Sequence, residues 1–165
     1  MERKTMRKAI HSPLLALALV LVLAGTVLAT AANSGFHAAI VSRGTLSDSV
    51  HYNTGAVKFQ TKGSVNFVNA TVTFDPLGSS GWHSHPGVVL VTVASGSVVA
   101  YDEHCVGTPH TAGTASSAFT ESGDEPGLVR NESTTTTEVS NVTYIVPAGT
   151  TAVRIDRAAP SCTLP

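Results

Sequence analysis

The chain has 165 residues, of which 42% are hydrophobic and 13% charged, and its formal net charge is −1. This composition provides no basic surface for nucleic acid or for an anionic membrane, so we expect neither as a partner. Once an N-terminal leader is set aside, the remaining length is that of one domain.

The leader is predicted over residues 1–31 and has the three parts of a secretory signal peptide. Four basic residues come first, residues 14–28 form an almost uninterrupted apolar run, and small residues suitable for cleavage follow. The alternative is a retained membrane anchor, because residues 14–32 nearly reach the length of a spanning helix. We expect a signal helix and a secreted protein, which contacts a membrane only if the leader stays uncleaved.

Beyond the leader, the sequence patterns are those of β-strands. Residues 32–64 predict an N-terminal arm with weak strands, and residues 65–74 predict a strong strand that ends at the turn 75–78. Two apolar runs around a short polar turn predict a hairpin over residues 88–102. Further strands are expected at residues 128–131, 138–146 and 152–155. Because no stretch after residue 35 has a helical apolar period, the predicted fold class is an all-β sandwich or barrel.

Two cysteines, Cys105 and Cys162, follow the leader. In an oxidising compartment an even pair most simply forms one disulfide. It would tie the C-terminal tail, residues 158–165, to the polar loop predicted over residues 103–117. The alternative is a thiolate that binds a metal or acts as a nucleophile.

The most informative motif is a pair of histidines within residues 81–87. In an extended strand, residues i and i+2 point to the same face, so His83 and His85 project together while Trp82 faces away. Two neutral imidazoles form half of a site for a divalent transition metal such as Zn, Mn, Fe, Ni or Cu. The alternative is a buried pair, hydrogen-bonded to protein or water, that remains from an earlier site.

This motif and its surroundings resemble the cupins, which are jelly-roll β-barrels also described as double-stranded β-helices. The first cupin motif has Gly, five residues, His-x-His, three or four residues, Glu and, after six more, Gly. Here four residues separate Gly78 from the histidines, and Gly96 lies at the distance of the closing glycine. The second motif ends in His, three residues and Asn, and Asn131 stands at its end. The resemblance covers residues 65–155 and implies a barrel over residues 65–157.

Two ligand positions of the cupin motifs hold other residues in this chain. The glutamate position of the first motif falls on Val89, and the histidine position of the second falls on Gly127. If the histidines face the barrel interior, Val89 and Val91 face it too and form an apolar pocket wall. We expect Glu121 to complete the metal site, the alternative being a solvated acidic turn. Other candidate ligands are Glu103, His104 and His110.

The resemblance implies three classes of function. We expect a secreted cupin-domain protein that binds a small molecule, a divalent metal, or both in its barrel. Arg130 is expected to line the pocket and to hold an anionic ligand, unless it pairs with nearby acids instead. The alternatives are a metal-dependent enzyme of the oxygenase or isomerase type, and a non-catalytic cell-surface structural or interaction module. Cupins also commonly form homodimers, which we expect here.

Overall fold

The computed structural model describes residues 33–165, and the predicted leader lies outside the described residues. Over this range the chain forms twelve strands and no helix, as the all-β prediction requires. No helix within that range is long and apolar enough to cross a membrane. The strands are β1 (Ser34–Leu46), β2 (His51–Thr54), β3 (Val57–Gln60), β4 (Val65–Ser79), β5 (His83–Ser84), β6 (Val88–Ser95), β7 (Ser97–Tyr101), β8 (Gly107–Thr111), β9 (Ala118–Ser122), β10 (Leu128–Arg130), β11 (Glu138–Pro147) and β12 (Ile155–Asp156).

Eight strands form one antiparallel sheet that curls into a nearly closed barrel. Its order is β8-β7-β10-β4-β11-β6-β9, and β1 pairs with β4 as well. Strands that are neighbours in the sheet are mostly distant in the chain, as in a jelly roll, and the two outermost strands, β8 and β9, are consecutive. Two short pairs, β12 with β5 and β2 with β3, lie outside this sheet.

The core fills the interior of the barrel with alternate residues of its long strands. In β6 every second residue is buried, because successive side chains of a strand point to opposite faces. The expected inward positions Val89 and Val91 are among the buried ones, at 0% and 6% exposure. The interior residues of β4 and β11 are Val68, Ala70, Val72, Phe74, Val142, Tyr144 and Val146.

The hairpin predicted over residues 88–102 is wrong. The two strands do form, but β6 pairs with β11 and β9, whereas β7 pairs with β8 and β10. The chain turns a corner at Gly96, whose φ is +75° and where a Cβ would lie 3.1 Å from the backbone of Glu138. A polar, glycine-containing turn is compatible with a corner or with a hairpin. A corner forms here because β6 and β7 each pair with strands that are distant in the chain, and not with each other.

The N-terminal arm is also more ordered than its sequence predicts. β1 pairs with β4 from Ser34 to Leu46, although most of its side chains are exposed. Backbone hydrogen bonds to the long neighbouring strand hold it in the sheet, so it needs no alternating apolar pattern. β4 itself continues through the predicted turn to Ser79, with Leu77 at a φ of +60°.

A second, smaller cluster packs on the far side of the histidine segment. Trp82, Tyr101 and Leu128 are its buried members. Cys105 packs against it and forms a disulfide with Cys162, so the tail is covalently attached there. Such a bond is typical of proteins that fold in an oxidising compartment. The loop predicted over residues 103–117 contains β8.

Candidate metal centre

The histidine pair lies on the short strand β5 and the residue just after it. The backbone of His83 exchanges two hydrogen bonds with Gly127, of 2.9 and 2.8 Å, which holds the segment against the chain just before β10. Both imidazoles are buried, with 6% and 4% exposure. The rings of His83 and His85 meet edge to face with centroids 4.8 Å apart. The i, i+2 spacing therefore brings both rings to the same side.

Glu121 reaches the same place from β9. Its Cα partner across the ladder is Val89, the residue at which the first cupin motif has its glutamate. A Cβ at Gly127, where the second motif has its histidine, would lie 4.0 Å from Oε1 of Glu121. The carboxylate of Glu121 thus lies beside Val89 and Gly127, the two cupin ligand positions that hold no ligand in this chain.

The three side chains form a compact donor group. Nε2 of His85 is 3.2 Å from Oε2 of Glu121, and one ligand atom from each residue lies within 4.8 Å of the other two. Ligands held about 2.1 Å from one ion lie at most about 4.2 Å apart, so binding would draw the furthest pair together. Within residues 33–165 this is the one cluster of three or more such groups.

Hydrogen bonds determine which nitrogen of each ring is available. Nδ1 of His83 is 2.9 Å from the carbonyl oxygen of Gly81, and Nδ1 of His85 is 2.6 Å from that of Val153. A carbonyl only accepts, so both Nδ1 atoms carry the proton and Nε2 keeps its lone pair when the ring is neutral. Nε2 of His85 is buried and has no hydrogen-bond partner among residues 33–165. Metal-binding histidines are commonly oriented in this way.

The charge states also suit metal binding. Burial lowers the pKa of His83 to about 4, which keeps the ring neutral at physiological pH. Burial raises the pKa of Glu121, but its contact with His85, 3.2 Å away, and the positive charge of Arg154 outweigh burial and hold the pKa below its usual value. Neutral imidazole and ionised carboxylate are the forms that bind metals.

A small cavity of about 40 Å³ adjoins the three side chains. This is room for a few water molecules or a ligand of a few heavy atoms. Val91 lines this cavity. Val89, which the sequence also predicted in the pocket wall, does not line it, because its side chain is fully buried in the core. The other lining residues are Phe36, Val72, Phe74, Ser80, Phe119, Val129, Ser140, Val142, Tyr144 and Arg154.

The arginine at this cavity is not the expected one. Val129 lines the cavity, and because side chains alternate along β10, Arg130 points to the other face. There it pairs with Glu132 at 3.6 Å, the alternative considered from the sequence. Arg154, which lies just before β12, lines the cavity instead.

The other candidate ligands lie apart from the three donors. His104 is exposed and 3.7 Å from the carboxylate of Glu103. His110 is buried, donates from Nδ1 to the carbonyl of Ser116 at 2.9 Å, and stacks on Phe119 with centroids 4.3 Å apart. Neither therefore contributes to the metal centre.

Comparison with known proteins supplies similarity of fold alone. No family model and no curated protein sequence matches the chain. Similar solved structures include an uncharacterised protein with a double-stranded β-helix domain from Klebsiella pneumoniae, at 15% identity and a TM-score of 0.45 over 55% of this chain and 76% of that one. A sugar phosphate isomerase of the cupin superfamily from Silicibacter pomeroyi has 22% identity and a TM-score of 0.39, over 47% and 48%. Oxalate oxidase has 19% identity and a TM-score of 0.40, over 50% and 46%.

The chain spans less than half the length of the last two proteins. Its own strand order, with the histidine pair inside the barrel, has the cupin-type architecture that the sequence resemblance implied.

Proposed function

We propose that the protein is exported and binds one divalent transition metal through His83, His85 and Glu121, with a small molecule in the adjoining cavity. The observation that carries this is the buried Nε2 of His85, which has no hydrogen-bond partner among the described residues and lies 3.2 Å from a carboxylate oxygen. In the neutral ring this nitrogen points a lone pair at the carboxylate oxygen, and a cation bound between them would turn that repulsion into two attractive contacts.

The donor set agrees with Zn, Mn, Fe, Ni or Cu, because imidazole and carboxylate together serve all of these ions. When bound, such an ion would act as a Lewis acid toward a ligand oxygen. The protein's own contribution is to orient both rings through the carbonyls of Gly81 and Val153 and to exclude bulk water with Val91 and Val142. Export is supported by the leader pattern and by the disulfide.

A metal-dependent enzyme of the oxygenase or isomerase type is the second candidate. It is favoured by the position of Glu121, which supplies a carboxylate to two histidines as in many catalytic iron sites. A structural module with vestigial histidines is disfavoured, because vestigial rings would be expected to have all their buried nitrogens paired with protein groups.

The test is metal analysis of the exported protein, purified without a histidine tag. We expect near-stoichiometric metal in the wild type and none in the His83→Ala/His85→Ala double variant. Glu121→Gln should weaken metal binding about as much as His85→Ala, by at least roughly 10–100-fold, since the first replaces a charged ligand by a neutral amide and the second removes an imidazole.

His110→Ala is the matched control, because His110 is also a buried histidine but lies apart from the donor group. It should leave metal affinity unchanged. If Glu121→Gln binds metal as tightly as the wild type, Glu121 is not a ligand. If the folded wild type binds none of the five metals, the proposed function fails.

A further inference from the structure

Arg154 has an unsatisfied donor at the edge of the metal cavity. Its Nε and Nη2 lie 2.9 and 2.8 Å from Oδ1 of Asp156, an exposed carboxylate. Its Nη1 is buried and has no hydrogen-bond partner in the described part of the chain. The ring of Phe36 packs against the guanidinium, with 5.9 Å between the ring centroid and Cζ. The guanidinium is therefore held in place, with one donor left for a ligand.

The charges around the cavity make the binding of an anion at this donor depend on the metal. Glu121 brings one negative charge to the cavity, and Arg154 brings one positive charge that it shares with the exposed carboxylate of Asp156. A divalent ion at the three donors would therefore give the cavity a net positive charge. An apolar wall of Val72, Val91 and Val142 strengthens electrostatic attraction to an anion, because the local dielectric constant is low.

We propose that Arg154 recognises a small carboxylate that also binds the metal held by His83, His85 and Glu121. The planar guanidinium suits a carboxylate oxygen, and Nη1 is the donor available to it. The cavity of about 40 Å³ restricts the ligand to a few heavy atoms, as in acetate. Asp156 acts as a positioning residue that holds the outer edge of the guanidinium. This inference rests on the proposed function, because it requires the bound metal.

The test uses the Co²⁺-loaded protein, in which visible absorption reports metal ligands, with acetate and its neutral isostere acetamide as probes. We expect acetate to bind more tightly than acetamide. Arg154→Met should weaken acetate binding by at least about tenfold, as for loss of a hydrogen bond between charged groups, and should retain Co²⁺. Arg130→Met makes the same change in charge away from the cavity. It should leave the affinities for acetate and for Co²⁺ unchanged.

The possible failures can be told apart. Acetate binding by Arg154→Met at wild-type affinity would overturn the inference, as would loss of Co²⁺ together with acetate. A folded wild type that binds Co²⁺ but not acetate overturns the inference alone, whereas one that binds no Co²⁺ overturns the proposed function as well. If Arg154→Met does not fold, Arg154→Lys decides: weaker acetate binding supports the inference, since lysine lacks the planar group, and unchanged binding overturns it.

Discussion

Glu121 and Glu138 are acids of the same barrel whose pKa values shift in opposite directions. Contact with His85 and the positive charge of Arg154 hold the pKa of Glu121 below its usual value despite burial. Glu138 has a hydrogen bond from the hydroxyl of Ser140, but its Oε2 is buried and has no partner within residues 33–165. Burial therefore raises the pKa of Glu138 to about 7. The partners of each carboxyl group, rather than burial alone, decide its charge.

Glu138 should make the stability of the protein depend on pH. Its pKa is higher in the folded state than its ordinary value of 4.5, so the folded protein retains a proton that the unfolded chain loses. This contribution to stability is fully present below pH 4.5 and is lost as the pH rises through about 7. The wild type has lost this contribution by about pH 8, whereas Glu138→Gln does not titrate. The stability of Glu138→Gln minus that of the wild type should therefore be greater at about pH 8 than at low pH, by roughly 3 kcal/mol.

Urea unfolding of both proteins across this pH range measures the difference. Glu125→Gln makes the same chemical change at an exposed position and serves as the control. A difference between Glu138→Gln and the wild type that does not vary with pH would show that Glu138 has an ordinary pKa in the folded protein.

At the scale of strands, Gly87 sets how closely the histidine segment approaches β11. It lies between β5 and β6, and a Cβ at this position would be 2.1 Å from the carbonyl oxygen of Ile145. Backbone atoms cannot move aside as a flexible side chain can. Close packing of these two segments therefore requires glycine, whatever its φ.

We predict that Gly87→Ala destabilises the protein by about 1–3 kcal/mol, because the added methyl group forces β6 and β11 apart. Thermal or urea unfolding measures the change. Gly63→Ala is the matched control, since a Cβ at Gly63 meets nothing within 4 Å and should alter stability little. Equal stabilities of the two variants would contradict the prediction.

At the scale of the whole molecule, the candidate site is assembled from both ends of the described chain. Phe36 comes from β1, whereas Val153 and Arg154 come from the segment that leads into β12. The chain just beyond is attached to the histidine segment, since Arg157 donates to the carbonyl of Trp82 at 3.0 Å and to Oγ of Ser84 at 2.8 Å. The disulfide of Cys162 then secures the tail.

Removing this disulfide should lower the stability of the whole domain. Cys105 and Cys162 are 57 residues apart, and cross-linking a loop of this length stabilises by up to about 4 kcal/mol. We expect the Cys105→Ser/Cys162→Ser double variant to unfold at lower urea concentration than the oxidised wild type. Reductant should destabilise the wild type similarly and leave the double variant unaffected. Equal unfolding midpoints for the oxidised wild type and the double variant would contradict this.

Much of the fold and part of the site follow from local pattern. Alternation along a strand is a property of the backbone, so the sequence correctly predicts the all-β class, the buried side of β6 and the shared side of His83 and His85. The pairing of two cysteines likewise needs no knowledge of the fold once an oxidising compartment is assumed. The nearness of Glu121 to the second cupin motif also predicts it as a ligand.

Other features depend on which strands become neighbours. Local sequence is compatible with either a hairpin or a corner at Gly96, and it does not show that β1 finds a partner in β4. It also does not show that Glu121 lies opposite Val89, or that Arg154 rather than Arg130 reaches the cavity. Periodicity is imposed within a few residues by backbone geometry, whereas these contacts join distant segments and arise only when the barrel buries its apolar faces together.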